Sequence, residues 1–208
     1  MTAPIQFQSP LILTLRLDKA THKLLTDLRS KYFPPHRNFL TAHVTLFHAI
    51  PAHRFNELDD QLNSICSSRS GWDVFFGEPE KMGNRGVYLI VRERPSSTVE
   101  RIHRQLLTDL KRGIKEDKDK LTNQDLQTMR KPHVTILNKA SNEEQVDTCL
   151  KEVRDFFDSL KTEGQKEGQH KGRAVGFELW EYLGGPWKSI KQYSFKGEDI
   201  DSPEKQGS

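Results

Sequence analysis

LTAHVTLFHAIP, residues 40–51, reads as a β-strand stopped by Pro51. Side chains alternate across a strand, so His43, Thr45 and Phe47 share one face while Val44 and Leu46 point to the other. RKPHVTILNK, residues 130–139, repeats the pattern: His133 and Thr135 on one face, backed by Val134 and Ile136. Each copy places an imidazole and a hydroxyl ~6.5 Å apart at their Cα atoms and plants its aliphatic face in a core. By composition, His-apolar-Thr-apolar arises by chance about 0.06 times in a chain of this length, and twice only about 0.002 times. One copy would read as a partly exposed strand histidine; two copies point to chemistry.

Working outward, the same order of elements surrounds each copy. LILTLRL (11–17) is a strand, Asp18 caps a helix carrying Leu24, Leu25 and Leu28, and the first motif strand follows at 43–50. A helix with Phe55, Leu58, Leu62 and Ile65 on one stripe leads to the strand WDVFFGEP. From residue 86 the order restarts: GVYLIVR as a strand, Ser96 capping a helix with Val99, Ile102, Leu106 and Leu110, then the second motif strand at 133–138. Ser141 and Glu144 suit a capping box for the next helix, and RAVGFELWEYL and WKSIKQYSF form two strands joined by a Gly-Gly-Pro turn. The spacing predicts one domain over 1–208: a first lobe of about 8–80, a second of about 86–196, and a flexible tail over 197–208. Two polar stretches of the second half, GIKEDKDKLTNQD (113–125) and EGQKEGQHKG (163–172), read as mobile surface loops.

Composition narrows the function classes. Hydrophobic content of 34% in dense runs and charged content of 29% describe a folded, hydrophilic protein. A net charge of +3, from 32 basic and 29 acidic residues, is too small for nonspecific wrapping of duplex nucleic acid. Cys66 and Cys149 lack metal or disulfide spacing and read as buried thiols of a reducing compartment. The N-terminus has no basic leader, and its apolar run is broken by Arg16. The expectation is therefore cytosol or nucleus, no membrane partner, and a monomer.

If a pseudo-twofold relates the halves, both imidazoles and both hydroxyls can face one small ligand. A side chain of ordinary pKa about 6.5 can serve as neutral base in one copy and protonated acid in the other, which in-line displacement at phosphorus requires. The threonine hydroxyls can donate to the non-bridging oxygens where charge accumulates. No metal or cofactor is called for. His36, His48 and His53 surround the first motif without ligand spacing, and His48 falls on the face opposite His43.

The two HVT motifs resemble the paired H-x-T/S motifs of the 2H phosphoesterase superfamily. PPHRNFLTAHVTLFHAIP resembles the first-motif region of its 2'-5' RNA ligase-like members, and LWEYLGGPWKSIKQYSF the C-terminal hairpin of a subset of them. The resemblance implies an α+β fold, bilobal and duplicated, with two antiparallel sheets flanked by helices around a central cleft. It further implies metal-independent hydrolysis of 2',3'-cyclic phosphate or 2',5'-phosphodiester bonds of nucleotides or RNA ends, with reverse ligation possible. His133 would be the base and His43 the acid. A nucleotide-binding module with little turnover is the competing reading. Where several relatives carry arginine or tyrosine, five residues after the second motif histidine, this chain has Asn138, followed by Lys139 as a candidate phosphate contact. Tyr88, Trp187 and Tyr193 are candidates for substrate binding as base platforms; alternation leaves open whether each is platform or core, whereas Trp180 reads as core. Arg37, Arg85 and Lys131 read as solvated charges.

Overall fold

A computed structural model describes residues 7–162 and 169–198. The expected tail from 199 onward, and residues 163–168 of the second polar stretch, lie outside the described residues. In chain order the elements are β1 (Leu11–Leu17), α1 (Lys19–Tyr32), β2 (Val44–Ile50), α2 (Phe55–Ser68), β3 (Trp72–Phe76), β4 (Pro79–Lys81), β5 (Val87–Ile90), β6 (Arg92–Arg94), α3 (Thr98–Arg112), β7 (His133–Leu137), α4 (Glu143–Ser159), β8 (His170–Tyr182) and β9 (Trp187–Ser194). The protein is α+β, and every strand pair is antiparallel.

Helix ends show where local sequence and tertiary context compete. Asp18 caps α1 as its sequence demands, its carboxylate accepting from the Thr21 N–H. At α3 the expected Ser96 cap is absent. Ser97 occupies the cap position at φ 59° without a side-chain bond, and the Glu93 carboxylate from β6 accepts the Val99 N–H instead. At α4 the cap falls one residue later than expected: Asn142 accepts from the Gln145 N–H, while Gln145 accepts from the Ser141 N–H.

The strands follow the order β4-β5-β7-β2-β1-β8-β3-β6, with β9 paired to β8. Instead of the two expected sheets there is one nine-stranded sheet, because the motif strands β7 and β2 pair with each other through a single rung, Val44 with Val134. Strand, helix, strand, helix, strand recurs in both halves, yet pairing does not respect the chain midpoint. β8 lies between β1 and β3, and β6 pairs with β3, so strands of the second half complete the sheet begun by the first. α1 crosses in the same sense, packing on β7, whereas α4 packs on β4 and β5, and α1 joins α4 through Lys31 and Tyr32 on Glu152. The residue before α2 meets α3 through Arg54, whose guanidinium donates to the Leu110 carbonyl.

β2 departs from simple alternation. Thr14 pairs with Thr45, but Leu13 pairs with Phe47 and Leu11 with Ile50, so β2 carries an extra residue at two places. Phe47 is therefore fully buried beside Leu46, rather than sharing the face of His43 and Thr45. The stretch 113–125 also differs from the expected mobile surface: Asp119, Leu121 and Asp125 are buried, and it packs onto the end of β2.

Candidate active site

The Val44–Val134 rung decides the site. Both valines are fully buried, so their neighbours in each strand point to the other face. Antiparallel pairing then sets Thr135 opposite His43 and His133 opposite Thr45. All four line one cavity of about 320 Å³, together with Trp187.

The imidazoles are fixed alike. His43 Nδ1 lies 2.8 Å from the Thr41 carbonyl, and His133 Nδ1 lies 2.9 Å from the Lys131 carbonyl. A carbonyl only accepts, so each Nδ1 carries the hydrogen and each Nε2 is left to take or hold a second proton. Each ring also rests on an aromatic: Trp187 at 4.7 Å from His43, and Tyr88 edge-on at 5.1 Å from His133. Burial pulls His43 down to about 4; the Thr41 carbonyl opposes this, and the charges of Arg29, His48 and His133 add to it.

Arg29 braces the two motifs. Its buried guanidinium donates to the Thr135 carbonyl at 2.7 Å, to the Leu40 carbonyl at 3.1 Å and to Asn38 Oδ1 at 2.9 Å. It thereby ties the segment leading into His43 to the strand carrying Thr135. No carboxylate pairs with it among the described residues, and burial lowers it to about 10. His103 on α3 fills a comparable position on the other side. It stacks on Phe47 at 4.5 Å and accepts from the Met129 N–H just ahead of the second motif.

Of the expected substrate contacts, Trp187 lines the cavity, whereas Tyr88 does not; Tyr88 stands edge-on to His133 with its hydroxyl committed to Glu80. Tyr193 is not brought to the site: it is buried, and its hydroxyl donates to Asp59 of α2. Pairing with Phe177 turns it toward α2 and away from the motif strands. Lys139 is exposed at φ 58° and does not line the cavity. Trp180 is half-buried, its indole N–H donating to Thr14, with its ring 6.2 Å from Trp187.

Several cavity residues escaped the sequence reading, His48, Gln124, Asp125 and Arg130 among them. The extra residues in β2 turn His48 into the cavity that alternation denied it. Asp125, buried at 2%, accepts from the backbone N–H groups of His48 and Ala49 at 2.8 Å each, and docks the segment bearing Gln124 and Arg130 along one wall. No sequence signal marks a bulge within a strand of good propensity, or a buried aspartate among solvated ones. Lys131, at the cavity edge, pairs with Glu80 at 3.1 Å. Among the described residues no group of three or more His, Cys, Asp or Glu is arranged to hold a metal. A second cavity of about 280 Å³, lined by Phe75, Arg92, Glu93 and Arg94, contains no motif residue. No helix among the described residues is long and apolar enough to cross a membrane.

Comparison with known proteins places this geometry in context. The sequence matches the family model of the 2'-5' RNA ligase superfamily over residues 17–166. No curated protein matches the chain. Among solved structures, TT0787 of Thermus thermophilus aligns with a TM-score of 0.59 at 14% identity, covering 91% of this chain and 100% of that one. LigT of E. coli complexed with 3'-AMP aligns with a TM-score of 0.53 at 16% identity, covering 90% and 98%. At such identities the likeness is one of fold.

Proposed function

Because the chain belongs to the 2'-5' RNA ligase superfamily, the two-histidine phosphoesterases, we propose that it hydrolyses 2',3'-cyclic phosphate or 2',5'-phosphodiester bonds of nucleotides or RNA ends, with ligation as the reverse reaction. The observation that carries this reading is the pair of imidazoles held in one tautomer over one cavity, each with a threonine beside it. LigT, a structural relative, has been crystallised with 3'-AMP, which supports a nucleotide as ligand.

The nucleoside stacks on Trp187, the aromatic face next to His43. This sets His43 beside the ribose oxygen that leaves and His133 beside the incoming water. His133 Nε2 takes a proton from the water as its oxygen bonds to phosphorus. The bond from phosphorus to the ribose 3' oxygen breaks, and that oxygen receives the proton of His43 Nε2, leaving a 2'-phosphomonoester and a 3'-hydroxyl. Solvent then restores both protonation states. Thr45 and Thr135 donate to the non-bridging oxygens as their charge rises. Since burial holds His43 neutral in the free protein, the anionic phosphate must bring His43 its proton, and binding is accompanied by proton uptake.

The test is incubation of the protein, with chelator present, with nucleoside 2',3'-cyclic phosphates, 2',5'-linked dinucleotides and short RNAs ending in a cyclic phosphate. Chelator-resistant turnover, abolished by both His43→Ala and His133→Ala, is the expected result. Tight nucleotide binding with no turnover would overturn the enzyme reading in favour of a binding module.

A further inference from the structure

His48, Gln124 and Arg130 line the cavity beyond the two motifs and have no part in the chemistry proposed for the scissile phosphate. His48 enters it with Nδ1 3.3 Å from Asp125 Oδ1. Asp125 is itself immobilised: its two oxygens accept from the backbone of His48 and Ala49 and from the Thr122 hydroxyl. Burial alone would raise this carboxyl, but its donors win and hold it below the usual carboxylate range, so it stays charged at neutral pH. A buried carboxylate on Nδ1 fixes the ring and leaves Nε2 toward the cavity, where the neutral ring accepts from the Gln124 amide nitrogen at 3.2 Å and would donate to an anion only as imidazolium. Arg130 lines the same cavity with no ion pair or hydrogen bond among the described residues. Lys131, the next cation, is already neutralised by Glu80.

An oriented imidazole and an unpaired guanidinium lining one cavity suit the recognition of negative charge. We propose that this part of the cavity, formed by His48, Gln124 and Arg130, is a subsite for a second phosphate of the substrate. That phosphate is either a terminal monoester on the same nucleoside or the next phosphodiester of an oligonucleotide. Asp125 is a positioning residue that presents His48 to it. This proposal rests on the phosphodiesterase reading above and names the substrate group that selects among its substrates.

Three substrates separate the possibilities: a nucleoside 2',3'-cyclic phosphate, the same compound with a 5'-phosphate, and a dinucleotide ending in the cyclic phosphate. The expected result is a KM lower by about tenfold for substrates with a second phosphate, an effect of one charge-assisted contact. A preference for the 5'-phosphate identifies a monoester, and one for the dinucleotide alone identifies a chain phosphodiester. In His48→Ala and in Arg130→Ala the KM ratio between second-phosphate and plain substrates should fall toward one. A ratio near one in the wild-type protein, or a ratio unchanged in both variants, overturns the subsite. Calorimetric binding of a nucleoside 3',5'-bisphosphate against a 3'-monophosphate makes the same comparison without turnover. Absence of hydrolysis with a tenfold binding preference therefore sinks only the enzymatic reading, and hydrolysis without preference sinks only the subsite.

Discussion

His43 and His133 share a tautomer, a companion threonine and an aromatic neighbour, and they differ in surroundings. Burial lowers His43 from 6.5 to about 4, so between those values the unfolded chain binds a proton that the folded chain refuses. Stability from this site is therefore full above pH 6.5 and lost as pH falls toward 4. His22, His103 and His170 are lowered by burial as well and act in the same direction. Urea denaturation at pH 7 and pH 5 should show a loss on acidification that is smaller in His43→Gln than in the wild type. The proposed acid and base roles are separated by leaving-group chemistry. On a 2',3'-cyclic phosphate each alanine variant should lower kcat by about 10³-fold. On a phosphodiester with a nitrophenolate leaving group, which needs no protonation, His43→Ala should recover most of the loss and His133→Ala none. Recovery by His133→Ala instead would exchange the roles.

At the scale of elements, the segment from Leu121 to Lys131 is docked on β2 by the buried Asp125 carboxylate. Asp125→Ala removes the acceptor for two backbone N–H groups of β2 and should cost about 2–4 kcal/mol in urea denaturation. In the same variant the KM preference for a second phosphate should collapse, because His48 loses its orientation. Here the sequence was a poor guide for a physical reason. GIKEDKDKLTNQD is as polar as a solvated loop, and only three-dimensional packing distinguishes Asp119 and Asp125 from their exposed neighbours. β2 misled similarly, since alternation assumes an unbroken pleat and the extra residues reverse the faces of Phe47 and His48. By contrast the helices α1, α2, α3 and α4 were legible from their apolar stripes, because burial of a stripe is a local pattern read over many residues. Their caps were less so, each resting on one or two side chains for which a tertiary partner such as Glu93 can substitute.

At the scale of the molecule, one continuous sheet is joined at its middle by the single Val44–Val134 rung, and the proposed catalytic pair flanks it. Val134→Ala leaves a space beneath the site and should cost about 2 kcal/mol of stability. The drop in kcat should exceed what that loss explains, since a shift of about 1 Å between reacting groups can cost about 10²-fold. An unchanged kcat with a lowered urea midpoint would show that the rung supports folding alone. The chain by itself determined the α+β class, the repeated order of elements and the singling out of His43, Thr45, His133 and Thr135, because periodicity and a duplicated motif are properties of residues in sequence. Only the tertiary structure decided that strands are exchanged between halves and α1 crosses to β7, that Trp187 and His48 share the cavity while Tyr193 and Lys139 do not, and that Arg29 and Asp125 brace it. Those outcomes depend on register, bulges and buried polar contacts between residues far apart in the chain, and no local pattern carries them.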